Sequence, residues 1–279
     1  MFFVFNYRFC FFAEISKQWR TNDQDKVFEQ GKIKKEENQP QHHGHTTFHI
    51  PERKMTGQLG DGAAIASEVQ LPVVTDLRAM DVAFGGQGAP IVPIGEKLLL
   101  GNYDYFLNLG GIANISFNTN QYIAFDICAA NRVLNMLAAD AGKEFDNDGQ
   151  MASQGKVNTA LLEKLNQLSY YKQPYPKSLA NDFGTDIVYP LIRKEALTNN
   201  DALNTYTEHI AVQIKNAITS TINPKPDTRN PKLLATGGGA FNTFLVDRLK
   251  DQLSQLNIEV IIPDKNLVSY KEALIMIGY

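Results

Sequence analysis

Two carboxylates and a guanidinium stand within six residues in Asp76-Leu77-Arg78-Ala79-Met80-Asp81, and Gly85-Gly86-Gln87-Gly88 follows. An aspartate beside a glycine turn can take a proton from water or from a sugar hydroxyl. The turn itself lets backbone amides come close to a ligand. An ion pair from Arg78 to Asp76 or Asp81 over an ordinary loop is the plainer use of the same residues. Two more glycine turns could meet an anion. Asn108-Leu109-Gly110-Gly111-Ile112-Ala113-Asn114 reads as strand, turn, strand, and Gly237-Gly238-Gly239-Ala240-Phe241-Asn242 joins a strand to a helix. Neither is followed by the lysine and hydroxyl of a P-loop, and neither has dinucleotide spacing. Asp126-Ile127-Cys128-Ala129-Ala130-Asn131 ends a strand and starts a helix, which suits either a cap or hydrated Mg²⁺ beside phosphates. The acids of Phe145-Asp146-Asn147-Asp148-Gly149 fall short of a calcium loop and read as a turn. Four of the five histidines lie between His42 and His49, with His209 far away, so they suit sugar hydroxyls or a turn better than a metal.

The elements that must position these groups follow from periodicity. Apolar runs predict strands over 71–76, over 105–118 interrupted by Gly110-Gly111, and over 122–127, 233–236 and 258–262. Helical spacing predicts helices over 130–141, 158–168, 201–219 and 241–256, the last with Phe241, Leu245, Leu249 and Leu253 on one face. Twelve of the twenty glycines fall between Gly57 and Gly149, which predicts loops rather than helices there. Strand, glycine turn, helix and strand from Leu233 to Ile262 make a βαβ unit, so the fold is α/β, in two lobes.

The 279 residues are 43% apolar and 20% charged, with a net charge of -3, an ordinary globular balance. No strong field draws nucleic acid or a membrane surface. Cys10 and Cys128 are too few for a disulfide scaffold and point to a reducing cytosol. Residues 1–12, MFFVFNYRFCFF, lack a basic start and are too short to span a bilayer. They read as a strand or a buried apolar end, and residues 14–41 as a polar helix and linker.

Eight stretches in order, HHGHTTFH, QLGDGAAIA, TDLRAMDVAFGGQGAPIVP, NLGGIANISF, FDICAAN, FDNDGQMASQGKVN, PKSLANDFG and ATGGGAFN, resemble the anhydro-N-acetylmuramic acid kinases over residues 42–272. The resemblance implies an actin-like, sugar-kinase-type ATPase fold of two ribonuclease-H-like lobes, with ATP and Mg²⁺ in the cleft between them. Residues 1–104 would form the N-terminal lobe and 105–279 the C-terminal lobe. It implies ring opening of a 1,6-anhydro amino sugar with phosphorylation of the freed 6-hydroxyl, in cytoplasmic cell-wall recycling, and a homodimer. Asp81 would be the general base. His45, Arg78, Gln87 and Glu272 would line the sugar. Gly110, Gly111 and Asn114 would hold phosphate; Gly237, Gly238, Gly239 and Asn242 the nucleotide; and Asp126 the metal, through water. Three departures stand out. Residues 1–41 hold no Gly-Thr/Ser-Ser-x-Asp-Gly loop, so the first lobe is expected to be incomplete. Ala129 and Ala130 replace the usual Pro or Gly, and the chain stops soon after Glu272. They leave a second reading, a remnant that binds nucleotide or sugar or pairs with a full-length relative.

Overall fold

The computed structural model describes residues 46–277, apart from 71, 72, 74, 86–91, 119–122, 181 and 222–229. His45, Gln87 and the readings of residues 1–41 lie outside the described residues. The chain divides into two compact units, 1–88 and 89–279.

In the first unit, β1 (Thr46–Ile50) and β2 (Met55–Gln58) form an antiparallel ribbon. Two helices follow, α1 (Gly62–Val69) and α2 (Leu77–Ala83). The second unit opens with α3 (Val92–Leu99). The glycine content predicts loops here, and the structure has helices instead. Between the glycines stand runs such as Ala63-Ala64-Ile65-Ala66 and Glu96-Lys97-Leu98-Leu99, strong helix formers. Asp61 caps α1 by accepting the Ala64 N–H at 2.7 Å. The strand expected over 71–76 is also absent among its described residues: Val73, Thr75 and Asp76 are irregular, and Asp76 has a left-handed backbone (φ 60°) at the start of α2.

The second unit is built on a five-stranded sheet. Its strands are β3 (Tyr105–Leu109), β4 (Ile112–Phe117), β5 (Ile123–Ala129), β6 (Lys232–Thr236) and β7 (Glu259–Ile261). They lie in the order β5-β4-β3-β6-β7, with β3, β4 and β5 an antiparallel meander and β6 and β7 parallel to β3. A meander continued by two parallel strands is the ribonuclease-H-like lobe that the resemblance implies. The helices are α4 (Asn131–Ala139), α5 (Gln150–Gln154), α6 (Thr159–Asn166), α7 (Tyr189–Arg193), α8 (Asn199–Thr221), α9 (Thr243–Ser254) and α10 (Lys265–Ile277).

Alternation along the strands splits the sheet's two faces. Tyr105, Leu107 and Leu109 join Ala113, Ile115, Leu233 and Ala235 in the main core, where Leu203, Tyr206, Ile210 and Ile214 of α8 are buried. Phe106 and Leu234 point the other way, to Leu267 and Leu274 of α10. Burying one such side chain contributes roughly 1.5–3 kcal/mol, so the α8 face holds most of the unit together. Among the described residues no helix is long and apolar enough to cross a membrane.

Candidate active site

The second face carries polar groups at its end. Asn108 faces Asn114 across β3 and β4, and faces Thr236 across β3 and β6. Asn114 in turn faces Asp126 across β4 and β5. Residues in register on neighbouring strands project to the same side of a sheet. Thr236, Asn108, Asn114 and Asp126 therefore form one polar row over four strands, at the carboxyl ends of β3 and β6. Ligands of α/β sheets bind beyond such ends.

The two glycine turns meet there, although more than a hundred residues separate them. A Cβ on Gly237 would stand 2.4 Å from Asn108 Oδ1 and 3.0 Å from the Leu109 backbone, so the two strand ends come together without room for a side chain. A Cβ on Gly239 would lie 2.8 Å from Leu109 Cβ and 3.0 Å from Asn131 Oδ1. Asn131 is the clamp: its Nδ2 donates to Leu109 O at 2.8 Å, while its backbone N–H donates to Gly110 O at 3.1 Å. It is the first residue of α4 rather than its cap. Gly238 and Gly239 open a single 3-10 turn over Gly238–Phe241, so their N–H groups have no carbonyl in a preceding turn. A cleft of about 180 Å³ beside these turns is lined by Asn108, Thr236, Gly237, Val268, Ser269 and Lys271.

Asp126 sits half-buried at the edge of the row. Leu179 N–H donates to its Oδ2 at 2.9 Å, and Tyr170 Oη donates to its backbone carbonyl at 2.6 Å. Burial pushes its carboxyl above the usual range, and the Leu179 N–H partly counters that. Its Oδ1 has no hydrogen-bond partner among the described residues. Those residues also contain no cluster of three or more His, Cys, Asp or Glu able to cage a metal. One carboxylate with a free oxygen suits a cation that keeps most of its waters, as Mg²⁺ does.

Other predicted residues fall elsewhere. Arg78 and Asp81 lie three residues apart on α2, hence on one side of that helix, with Asp81 exposed. They belong to the first unit, and the glycine turns to the second. Glu272 is on α10. Asn242 caps α9, its Oδ1 accepting the Leu245 N–H at 3.0 Å. Phe241, expected on the buried face of that helix, is 45% exposed because the helix starts only at Thr243. The Asp146 segment is a structural turn: its two oxygens accept Met151 N–H at 2.8 Å and Ala152 N–H at 2.9 Å. Cys128 is wholly buried, and burial raises its thiol pKa, which leaves it inert.

Asn108, Thr236 and Lys271 were not singled out from sequence. Asn108 was visible only as the start of a hairpin motif. Thr236 becomes polar-row material once the parallel register of β6 against β3 is known.

The family model for anhydro-N-acetylmuramic acid kinase matches residues 16–274. A curated protein of that name from Paramagnetospirillum magneticum is 35% identical over 218 residues, 76% of this chain and 59% of its own. Another, from Hydrogenovibrio crunogenus, is 36% identical over 218 residues, 76% of this chain and 58% of its own. The chain thus spans somewhat under three fifths of the length of these curated relatives.

Proposed function

From the premise that the chain belongs to the anhydro-N-acetylmuramic acid kinase family, we propose that it opens 1,6-anhydro-N-acetylmuramic acid with water and phosphorylates the freed 6-hydroxyl from ATP. The observation that carries this reading is the meeting of the Gly110 and Gly238 turns over the polar row Thr236, Asn108, Asn114 and Asp126. Phosphoryl transfer needs positioning and charge stabilisation more than covalent help from the protein. Backbone N–H groups and neutral amides at strand ends supply both without a competing charge.

In the reaction so read, Asp81 takes a proton from the water that attacks C1. The C1–O6 bond breaks as the C1–OH bond forms, and O6 attacks the γ-phosphorus while the bond to the ADP oxygen breaks. Arg78, Glu272, His45 and Gln87 orient the sugar. Gly110, Gly111 and Asn114 hold the transferring phosphate, and Gly237, Gly238, Gly239 and Asn242 the rest of the nucleotide. Mg²⁺ bound with the phosphates, reached by Asp126 through water, would spread their charge. The setting is cytoplasmic cell-wall recycling.

The test is transfer of labelled γ-phosphate from ATP to 1,6-anhydro-N-acetylmuramic acid by the full chain and by Asp81→Asn. Loss of a general base costs about 10²–10⁴-fold in turnover, with ATP binding retained. Turnover surviving Asp81→Asn removes the base assignment. A parent chain that binds ATP or the sugar without transferring phosphate supports the remnant reading.

A further inference from the structure

A buried charge pair, one member of which lines the cleft, has no part in the scheme above. Lys271 is 5% exposed and Glu96 is 2% exposed. Lys271 Nζ donates to Glu96 Oε1 at 2.5 Å, and Ser116 Oγ donates to Glu96 Oε2 at 2.5 Å. Both carboxylate oxygens are held. Ser116 lies two residues along β4 from Asn114, so it shares the face of the polar row. On α10 the helical run breaks at Tyr270 (φ −128°, ψ 16°), immediately before Lys271.

The geometry has a direction. Of the six residues lining the cleft, Lys271 alone is charged, and Glu96 is not in the wall. Lys271 thus borders the cleft, and its counter-charge Glu96 does not. An ammonium has three donors, and Glu96 takes one. Burying both charges costs desolvation that their mutual attraction often fails to recover. Joining α3 to α10 is thus a weak reason to keep such a pair, since apolar residues would join them as well.

We propose that Lys271 is an oxyanion-contacting residue of this cleft, held at its wall by Glu96 and Ser116. Its ligand is an oxygen anion lying across Asn108 and Thr236. Two sources have that chemistry: a phosphate of the nucleotide, or the carboxylate of the sugar acid. The proposal rests on the kinase reading.

The experiment is isothermal calorimetry of the full chain with ATP, with 1,6-anhydro-N-acetylmuramic acid, and with uncharged adenosine. The variant is the double substitution Lys271→Met/Glu96→Gln, which removes both charges together and leaves neither buried alone. It is expected to bind one anionic ligand at least about 10-fold more weakly, as for loss of one charge-assisted contact, with adenosine affinity unchanged. Weakening confined to ATP assigns the phosphate; weakening confined to the sugar acid assigns the carboxylate. Glu96→Gln alone keeps a hydrogen-bond acceptor for Lys271 and removes the counter-charge, so it is expected to tighten the same ligand. That variant also decides the matter if the double variant does not fold. Parental affinity for both anionic ligands in the folded variants overturns the role of Lys271 and leaves the kinase reading intact. A parent chain that binds neither ATP nor the sugar acid overturns both.

Discussion

Gly237 has φ 84° and ψ 170°, a backbone region that only glycine enters without strain. A side chain there would also press on Asn108 Oδ1. Gly237→Ala should cost on the order of 1–3 kcal/mol. It should also separate the β3 and β6 ends by the width of a methyl group. The expected result is a lower melting temperature and weaker ATP binding, read by calorimetry. An alanine variant that melts and binds like the parent means that this close approach is not part of the site. Asn131→Ala tests the clamp. It removes the Nδ2 bond to Leu109 O, worth about 1 kcal/mol net, and should weaken nucleotide binding more than it lowers stability. At this scale sequence reading does well where residue type dictates backbone: three consecutive glycines announce a strained turn. It does poorly where a role comes from register. Asn108 and Thr236 are ordinary polar residues until the strand pairing sets them side by side.

Elements with unbroken periodicity were legible. The meander, α4, α6, α8 and the strand-turn-helix-strand run through β6 and β7 stand where apolar spacing puts them. The stretch from Gly57 to Leu99 was not, because glycines spaced between helix formers look like loop while Asp61 and the alanines after it still nucleate α1. The end of α9 shows a second limit. Phe241 fits the helical face by spacing, yet Asn242 caps the helix and leaves Phe241 outside it. That cap also obscures what Asn242 does for a ligand, and two substitutions separate the roles. Asn242→Ala removes the bond to Leu245 N–H and should cost about 1 kcal/mol, or roughly 2–4 °C in melting temperature. Asn242→Asp keeps an oxygen for the cap and loses the amide donors. If Asn242 contacts nucleotide, the Asp variant melts like the parent but binds ATP more weakly. If both melting and binding match the parent, its work is the cap alone.

For the molecule as a whole, the α8 core contains one group that ties stability to pH. His209 is wholly buried and stacks on Tyr206 with ring centroids 5.4 Å apart. Its Nδ1 lies 2.7 Å from Asn166 Oδ1, which also accepts from Gln213, and its Nε2 lies 3.1 Å from Tyr171 Oη. Asn166 Oδ1 can only accept, so the proton sits on Nδ1 and Tyr171 donates to Nε2. Every one of these partners is uncharged. Burial lowers the His209 pKa from 6.5 to about 3. The sign follows from proton counts. Above pH 6.5 neither the folded nor the unfolded chain protonates this ring. Between 6.5 and about 3 the unfolded chain binds a proton that the folded chain refuses, so stability falls as pH falls through that window. The slope is at most ~1.4 kcal/mol per pH unit. Asp126 works in the opposite direction, since its folded pKa is raised, so the His209 contribution must be read as a difference. Urea unfolding at pH 7 and pH 5, for the parent and for His209→Gln, supplies it. The variant is expected to be less stable at pH 7, having lost the ring's packing, and to lose less on going to pH 5 than the parent does. Equal losses in the two proteins would show that the buried ring takes up its proton without unfolding, and that the neutral network around Asn166 and Tyr171 does not control acid stability.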